Sequence, residues 1–242
     1  MDSNLEQKLA SYQAPDAARR LIQDARVVFV VGVTAAGKDT VLKKLVEKPD
    51  YHLIVSHTTR APRENNGILE QNGVDYHFIS LAEAENLLDS GGYVEVKMFS
   101  GNIYGTSVAE IQKAHNDNKI AIADIEVQGV AEYRKISDKV ISIFLLPPDF
   151  KTWQSRLQHR YDGGELPREE FIKRMSTAKL ELAEALNKDY FEFVVNRDLD
   201  QTVQIVDEVA HGHFSEKKNA EARAVAAQLL TDLEAMLANL AD

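Results

Sequence analysis

Apolar residues fall in two rhythms along this chain. "RVVFVVGV" at 26–33 is a run of β-branched and aromatic residues ending near glycine, the pattern of a strand buried on both faces. "IAIADIEV" at 120–127, "VISIFLLPP" at 140–148 and "YFEFVVN" at 190–196 repeat it, whereas "YVEVKMF" alternates. "HLIVSHTTRAPRENNGILEQNGVDYHFIS" reads as a strand, a polar Gly/Asn-rich stretch and a second strand.

Between these runs the apolar spacing becomes helical. Residues 3–24 form one such stretch with a restart at Pro15. "DTVLKKLVEK" follows Lys38 with Val41, Leu42 and Leu45 at helical spacing. "LAEAENLLDSGG" at 81–92 is a helix stopped by glycines, and "TSVAEIQKAHNDNK" one with Thr106 or Ser107 as its N-cap. "DFKTWQSRLQHR", "REEFIKRMSTAKLELAEALN" and "LDQTVQIVDEVA" complete the set, the first two separated by "YDGGELP". Apolar strands alternating with helices predict an α/β parallel sheet.

After Gly212 the composition turns Ala/Leu-rich without Gly or Pro. Val225, Leu229, Leu233, Met236 and Leu240 fall on one helical face. That stripe either packs on the core, the expected outcome, or forms a dimer contact with a second subunit.

Composition narrows the class. With 44% hydrophobic and 27% charged residues, the 242-residue chain has the profile of a soluble globular protein. It has no cysteine, which excludes disulfides and thiolate chemistry. "VVFVV" at 27–31 is too short to span a bilayer and too far from the start for a signal peptide, so the expected location is the cytoplasm, without a membrane partner. A net charge of −10 argues against a general nucleic-acid binder. An acidic protein that binds a small polyanion must gather its few cations in one place.

Such gatherings exist. "GVTAAGKDT" at 32–40 places Gly32, Gly37 and Lys38 in the spacing G-x-x-x-x-G-K, after a strand and before a helix. Glycines let backbone N–H groups curl around phosphate oxygens, the helix start adds its positive dipole end, and the lysine reaches the terminal phosphates. Gly32, Val33, Thr34, Ala35, Ala36, Gly37, Lys38, Asp39 and Thr40 are therefore candidate contacts to a nucleotide's phosphates. Asp39 stands where the motif carries a hydroxyl. A bare carboxylate repels triphosphate, but with Mg²⁺ between them the contact is attractive.

In "SHTTRAPRE", Arg60 and Arg63 are two guanidinium forks three residues apart, with the Ser56, Thr58 and Thr59 hydroxyls alongside. Tyr76 in "GVDYHF" and Tyr104 in "GNIYGTS" are phenols near glycines. Glu95 and Asp124 are carboxylates on apolar strands, either facing water or a basic partner, or accepting the N–H groups of a base. Arg156, Arg160 and Arg174 bracket a Gly-Gly hinge, a cluster suited to a mobile basic cover or to surface ion pairs.

Together and in this order, "VSHTTRAPR", "NGVDYHFIS", "GNIYGTS", "ADIEVQG", "IFLLPP", "FIKRM" and "VVNRDLD" resemble the blocks of guanylate kinases over residues 26–211. The resemblance implies a P-loop kinase fold: a central parallel sheet flanked by helices, a GMP-binding mixed-sheet insertion over about 56–106, and a helical lid over about 156–174. Residues 1–25 and 212–242 are then helical extensions. It implies ATP-dependent phosphorylation of GMP and dGMP, with Mg²⁺ as cofactor. Residue by residue, it makes the phosphates at residues 32–40 those of ATP, and assigns Ser56 and Glu95 to guanine, and Arg60, Arg63, Tyr76 and Tyr104 to the GMP phosphate. Thr106 falls at a hydroxyl position on the same nucleotide, and Asp124 beside nucleoside and metal. Lys38, Arg156, Arg160 and Arg174 become the catalytic cations, and Asn196 falls near adenine.

Four departures accompany it. Asp39 replaces the loop hydroxyl, and Glu126 stands where the family usually has aspartate. "ENNGILEQNGVDY" runs about four residues longer than usual, around the GMP-site match Glu70, and "YDGGELP" is also longer. Asp39 together with Asp124 is the expected metal pair. Two rivals are a phosphopeptide-binding scaffold domain and a kinase with a ribose phosphate as acceptor. Lys38, Arg60, Arg63 and Glu95 disfavour the first, and Ser56 and Glu95 the second.

Overall fold

The computed structural model describes residues 3–65, 67–159 and 166–241. In chain order its first half contains α1 (Ser3–Ser11), α2 (Asp16–Asp24), β1 (Arg26–Gly32), α3 (Lys38–Leu45), β2 (Tyr51–Leu53), β3 (His57–Thr58), β4 (Glu64–Asn65), β5 (Ile68–Leu69), β6 (His77–Phe78), α4 (Leu81–Asp89), β7 (Tyr93–Phe99), β8 (Asn102–Ser107) and α5 (Val108–Asn116). The second half contains β9 (Ile120–Asp124), α6 (Val127–Ile136), β10 (Ile141–Leu146), α7 (Phe150–His159), α8 (Arg168–Leu186), β11 (Phe191–Val195), α9 (Leu199–Ala210) and α10 (Glu216–Ala241).

A five-stranded sheet has the order β11-β10-β1-β9-β2, and a four-stranded sheet the order β6-β3-β8-β7. By compactness the chain divides into two units. The first comprises Met1–Val27, Pro49–Ala123 and Glu132–Val140; the second comprises Val28–Lys48, Asp124–Ala131 and Ile141–Asp242.

In the second unit, β1 pairs in parallel with β10 and β10 with β11, so Gly32, Leu145 and Val194 share one register. Val28 to Val31 and Ile143 to Leu146 are fully buried, which is why these strands are continuous apolar runs. Helix α9 packs on β10 and β11, and α10 on β11 and α8. Leu229 and Leu233 of the C-terminal stripe are buried in that packing.

In the first unit, β2 pairs in parallel with β9. The four-stranded sheet is mixed: β3 runs parallel to β6 and antiparallel to β8, and β7 antiparallel to β8. Ser100 and Gly101, both at positive φ, turn the β7–β8 hairpin. Helix α4 starts on a capping box, with Ser80 Oγ accepting from Glu83 N and Glu83 Oε2 accepting from Ser80 N.

Two local expectations shift, and one left open is decided. The apolar run before the arginines splits into β2 and β3, one in each sheet. The strand expected over 120–127 ends at Asp124, and a helix absent from the sequence reading, α6, begins at Val127. Its buried Val127, Val130 and Tyr133 recur every three residues, but Gly129 weakens the helical signal. Ser107, not Thr106, caps α5; Thr106 is the penultimate residue of β8.

Candidate functional site

The loop between β1 and α3 is shaped by contacts that exclude side chains. A Cβ on Gly32, at φ +148°, would lie 2.3 Å from the Leu145 carbonyl oxygen. A Cβ on Gly37, at φ +98°, would lie 2.4 Å from Asn196 Nδ2. Ala35 also takes positive φ. Val33 and Ala36 are fully buried, so their side chains pack into the protein. Gly37 caps α3 without a side-chain hydrogen bond, leaving the first N–H groups of the helix for an anion.

Two side chains brace this loop directly, and a third holds one of them. Asn196, itself buried, donates through Nδ2 to the Ala36 carbonyl at 2.8 Å, with Thr202 Oγ1 3.2 Å from its Oδ1. Asn196, expected near adenine, supports the loop and also lines a cavity beside it. Trp153 Nε1 donates to the Thr34 carbonyl at 2.8 Å. Arg156 donates through Nη2 to the Asn196 carbonyl at 3.0 Å, while its Nη1 is buried without a hydrogen-bond partner.

Lys38 Nζ donates to the Gly32 carbonyl at 2.8 Å and lies 3.9 Å from Asp124 Oδ2. Arg174, on α8, approaches Thr34 Oγ1 at 3.4 Å and pairs with Glu170 at 2.8 Å. A cavity of about 360 Å³ is lined by Lys38, Asp39, Asp124, Arg174 and Glu181, among others. A second, also about 360 Å³, is lined by Gly37, Asp39, Thr40, Arg156 and Asn196. Asp39 and Asp124 face the first cavity together, and carboxylate oxygens are the donors that Mg²⁺ prefers. Arg160 lies outside the described residues.

Glu181 is the functional candidate that the sequence reading missed. Burial, reinforced by Glu126 and Asp124 and opposed by Lys38, pushes its carboxyl up to about 7. The available signal was its seven-residue spacing from Arg174 with Thr177 between, one face of α8.

The first unit holds the other cluster. Arg60, 8% exposed, meets Glu70 as a fork: Nη1 to Oε2 at 2.8 Å and Nη2 to Oε1 at 3.0 Å. Arg63 N donates to the same carboxylate at 2.8 Å. The antiparallel β4–β5 pair delivers Glu70 to this position. The Arg60 hydrogen bond, with the Arg63 N–H adding to it, holds the Glu70 carboxyl below its ordinary range. The Arg60 guanidinium lies 5.3 Å from the Tyr76 ring, and the Tyr76 and Tyr104 rings meet edge-on at 6.0 Å. The Arg63 side chain is exposed.

The Thr58 and Thr59 hydroxyls accept from Arg60 N and Ile103 N. Glu95 and Thr106 face each other across β7 and β8, with Thr106 Oγ1 donating to Glu95 Oε1 at 3.1 Å. Ser56 precedes β3, its carbonyl accepting from His77 N at 2.9 Å.

A family model described as guanylate kinase matches residues 24–212. The guanylate kinase of Sus scrofa is 34% identical over 175 residues, 72% of this chain and 85% of that one. That of Schizosaccharomyces pombe is 35% identical over 177 residues, 72% and 84% of the two chains. A crystal structure of guanylate kinase from Anaplasma phagocytophilum superposes with a TM-score of 0.56 at 22% identity, covering 82% of this chain and 92% of that one, which supports the α/β fold. Among the described residues no helix is long and apolar enough to cross a membrane. On its match to the family model and to curated relatives, the chain belongs to the guanylate kinase family and is a nucleotide-binding kinase.

Proposed function

We propose that this protein transfers the γ-phosphoryl group of ATP to GMP, and to dGMP, in the cytoplasm. The observation that carries the reading is the placement of cations in a chain of net charge −10: Lys38, Arg156 and Arg174 all bear on loop 32–37 or its Asn196 brace.

Phosphoryl transfer asks the protein for in-line positioning and for positive charge where the transferred group spreads its own. The N–H groups of loop 32–37 and of the α3 start hold the donor phosphates, and Lys38 turns from Gly32 O toward their terminal oxygens. Arg156 Nη1 gains the partner it lacks, and Arg174 and Arg160 close on the phosphates with segment 156–174. Closure excludes water, the competing acceptor. Asp39 and Asp124 are the residues that would hold Mg²⁺, which supplies charge neutralisation and orientation to the phosphates when bound.

On the acceptor side, Arg60, Arg63, Tyr76 and Tyr104 bind the GMP phosphate, with Glu70 holding the Arg60 fork in place. Glu95, with Ser56 and Thr106, reads guanine by accepting N–H donors that adenine does not present there. Once a bound base covers it, an unmatched carboxylate costs about 1–3 kcal/mol, which disfavours AMP.

An acceptor panel tests this reading. With ATP and Mg²⁺, GMP and dGMP turn over, and AMP and ribose phosphates do not; turnover of a ribose phosphate in preference to GMP would overturn it. Asp39→Ser tests the metal assignment, which predicts a higher Mg²⁺ requirement; an unchanged titration contradicts it.

A further inference from the structure

Strand β7 is irregular where it carries the base-reading carboxylate. Tyr93 pairs with Ser107 and Glu95 with Thr106, so two steps on β7 match one on β8. Such a bulge re-aims the side chains beside it. Glu95 follows the bulge, and Tyr93 begins it. The Tyr93 carbonyl receives the hydroxyl of Tyr12 at 2.7 Å.

Tyr12 follows α1 and lies outside the residues that the family model matches. It is held firmly. Leu5 and Leu9 of α1 are buried in one cluster with Leu88, Tyr93, Val96 and Ile103, and Tyr12 packs against it. Lys8 Nζ lies 2.6 Å from Asp89 Oδ1. Pro15 closes on Gly91, where an added Cβ would meet its Cγ at 3.1 Å. A cavity of about 800 Å³ lined by Tyr12, Gln13, Arg19, Lys97 and Glu95 runs along this stretch, so the N-terminal residues and the carboxylate border one space.

We propose that Tyr12 is a positioning residue for base recognition: through Tyr93 O it fixes the bulge that orients Glu95, making the N-terminal helices part of the acceptor site. This rests on the reading of Glu95 as the guanine acceptor. Hydrogen bonds weaken steeply with misalignment, so a loosened bulge costs acceptor affinity and selectivity and leaves the ATP side alone.

The test is Tyr12→Phe, which keeps the ring and removes only the hydroxyl. KM for GMP should rise about three- to tenfold, the equivalent of one weakened hydrogen bond, with KM for ATP and kcat nearly unchanged. Preference for GMP over IMP, which lacks the 2-amino donor, should fall with it. Lys217→Ala, which removes an exposed ion pair with Glu221 on α10, should leave KM for GMP unchanged. Unaltered GMP kinetics in Tyr12→Phe, or equal losses toward both nucleotides, overturn the assignment. Glu95→Gln separates this from the underlying reading: if it keeps full GMP selectivity, Glu95 does not read the base. If Glu95→Gln loses selectivity while Tyr12→Phe keeps it, only the Tyr12 role falls. Hydrogen exchange on the unaltered protein needs no variant to fold: GMP should slow exchange in residues 9–15 together with 93–97. Protection of 93–97 alone contradicts the coupling.

Discussion

Arg60 and Glu70 meet as a two-pronged ion pair, at 2.8 and 3.0 Å, with side chains 9% and 12% exposed. In the proposed site this pair aims the remaining guanidinium surface at the GMP phosphate. Breaking a buried pair by removing one partner strands the other charge, at a cost of about 3–5 kcal/mol. Glu70→Ala should therefore lower stability to chemical denaturant and raise KM for GMP more than KM for ATP. Arg60→Lys should not restore GMP affinity, because an ammonium cannot make both bonds at once. Wild-type GMP kinetics in Arg60→Lys would contradict the fork's role.

The loop glycines are constrained by neighbours as well as by backbone angle. Gly32→Ala sets a Cβ against backbone, the Leu145 carbonyl, which cannot swing aside. Positive φ adds strain of about 1–3 kcal/mol at either glycine. Gly32→Ala should lose ATP binding and several degrees of thermal midpoint, measured by calorimetry with and without ATP. At Gly37 the obstacle is the Asn196 side chain, so adding Asn196→Ala to Gly37→Ala should recover part of the lost stability.

How far these features could be read from residues alone differs between the two clusters. The phosphate loop was legible because its glycines, lysine, strand and helix are contiguous. Its supporting contacts were not: Asn196 was matched only as a residue near adenine and Trp153 carried no signal, because they reach the loop from 160 and 119 residues away. Glu70 could be matched only through an atypically long stretch, whereas the β4–β5 pairing carries it directly to Arg60. Glu181 went unseen because a glutamate on a charged helix is ordinary, and only folding surrounds it with Lys38, Glu126 and Asp124. Helix α6 was hidden by Gly129, and the split between β2 and β3 by one apolar run that feeds both sheets.

Acid should loosen the unit that carries the acceptor cluster. Burial, with His77 beside it and Glu110 opposing, holds His57 below its ordinary 6.5. Burial pushes Glu110 up, but bonds from Val55 N, His52 and His77 outweigh it and hold the carboxyl below 4.5. Both folded values are depressed, so each group's contribution is complete above its ordinary value and is lost as pH falls through the folded one. The thermal midpoint should decline from about pH 6.5 downward and more steeply below about 4.5. His57→Gln should flatten the upper part of that decline, seen in melting curves across the range; an unchanged pH profile would show that His57 does not contribute.

Lys38 joins the phosphate loop to the carboxylate at the end of β9, through Gly32 O and Asp124 Oδ2. A coupled assay with ATP, GMP and Mg²⁺, run on the unaltered protein and on Lys38→Met, measures its part in transfer most directly. The unaltered protein should produce ADP and GDP in equal amounts, and Lys38→Met should lose about 10²–10³-fold in kcat while staying folded. No GDP from the unaltered protein, or undiminished turnover in Lys38→Met, would contradict phosphoryl transfer at this loop.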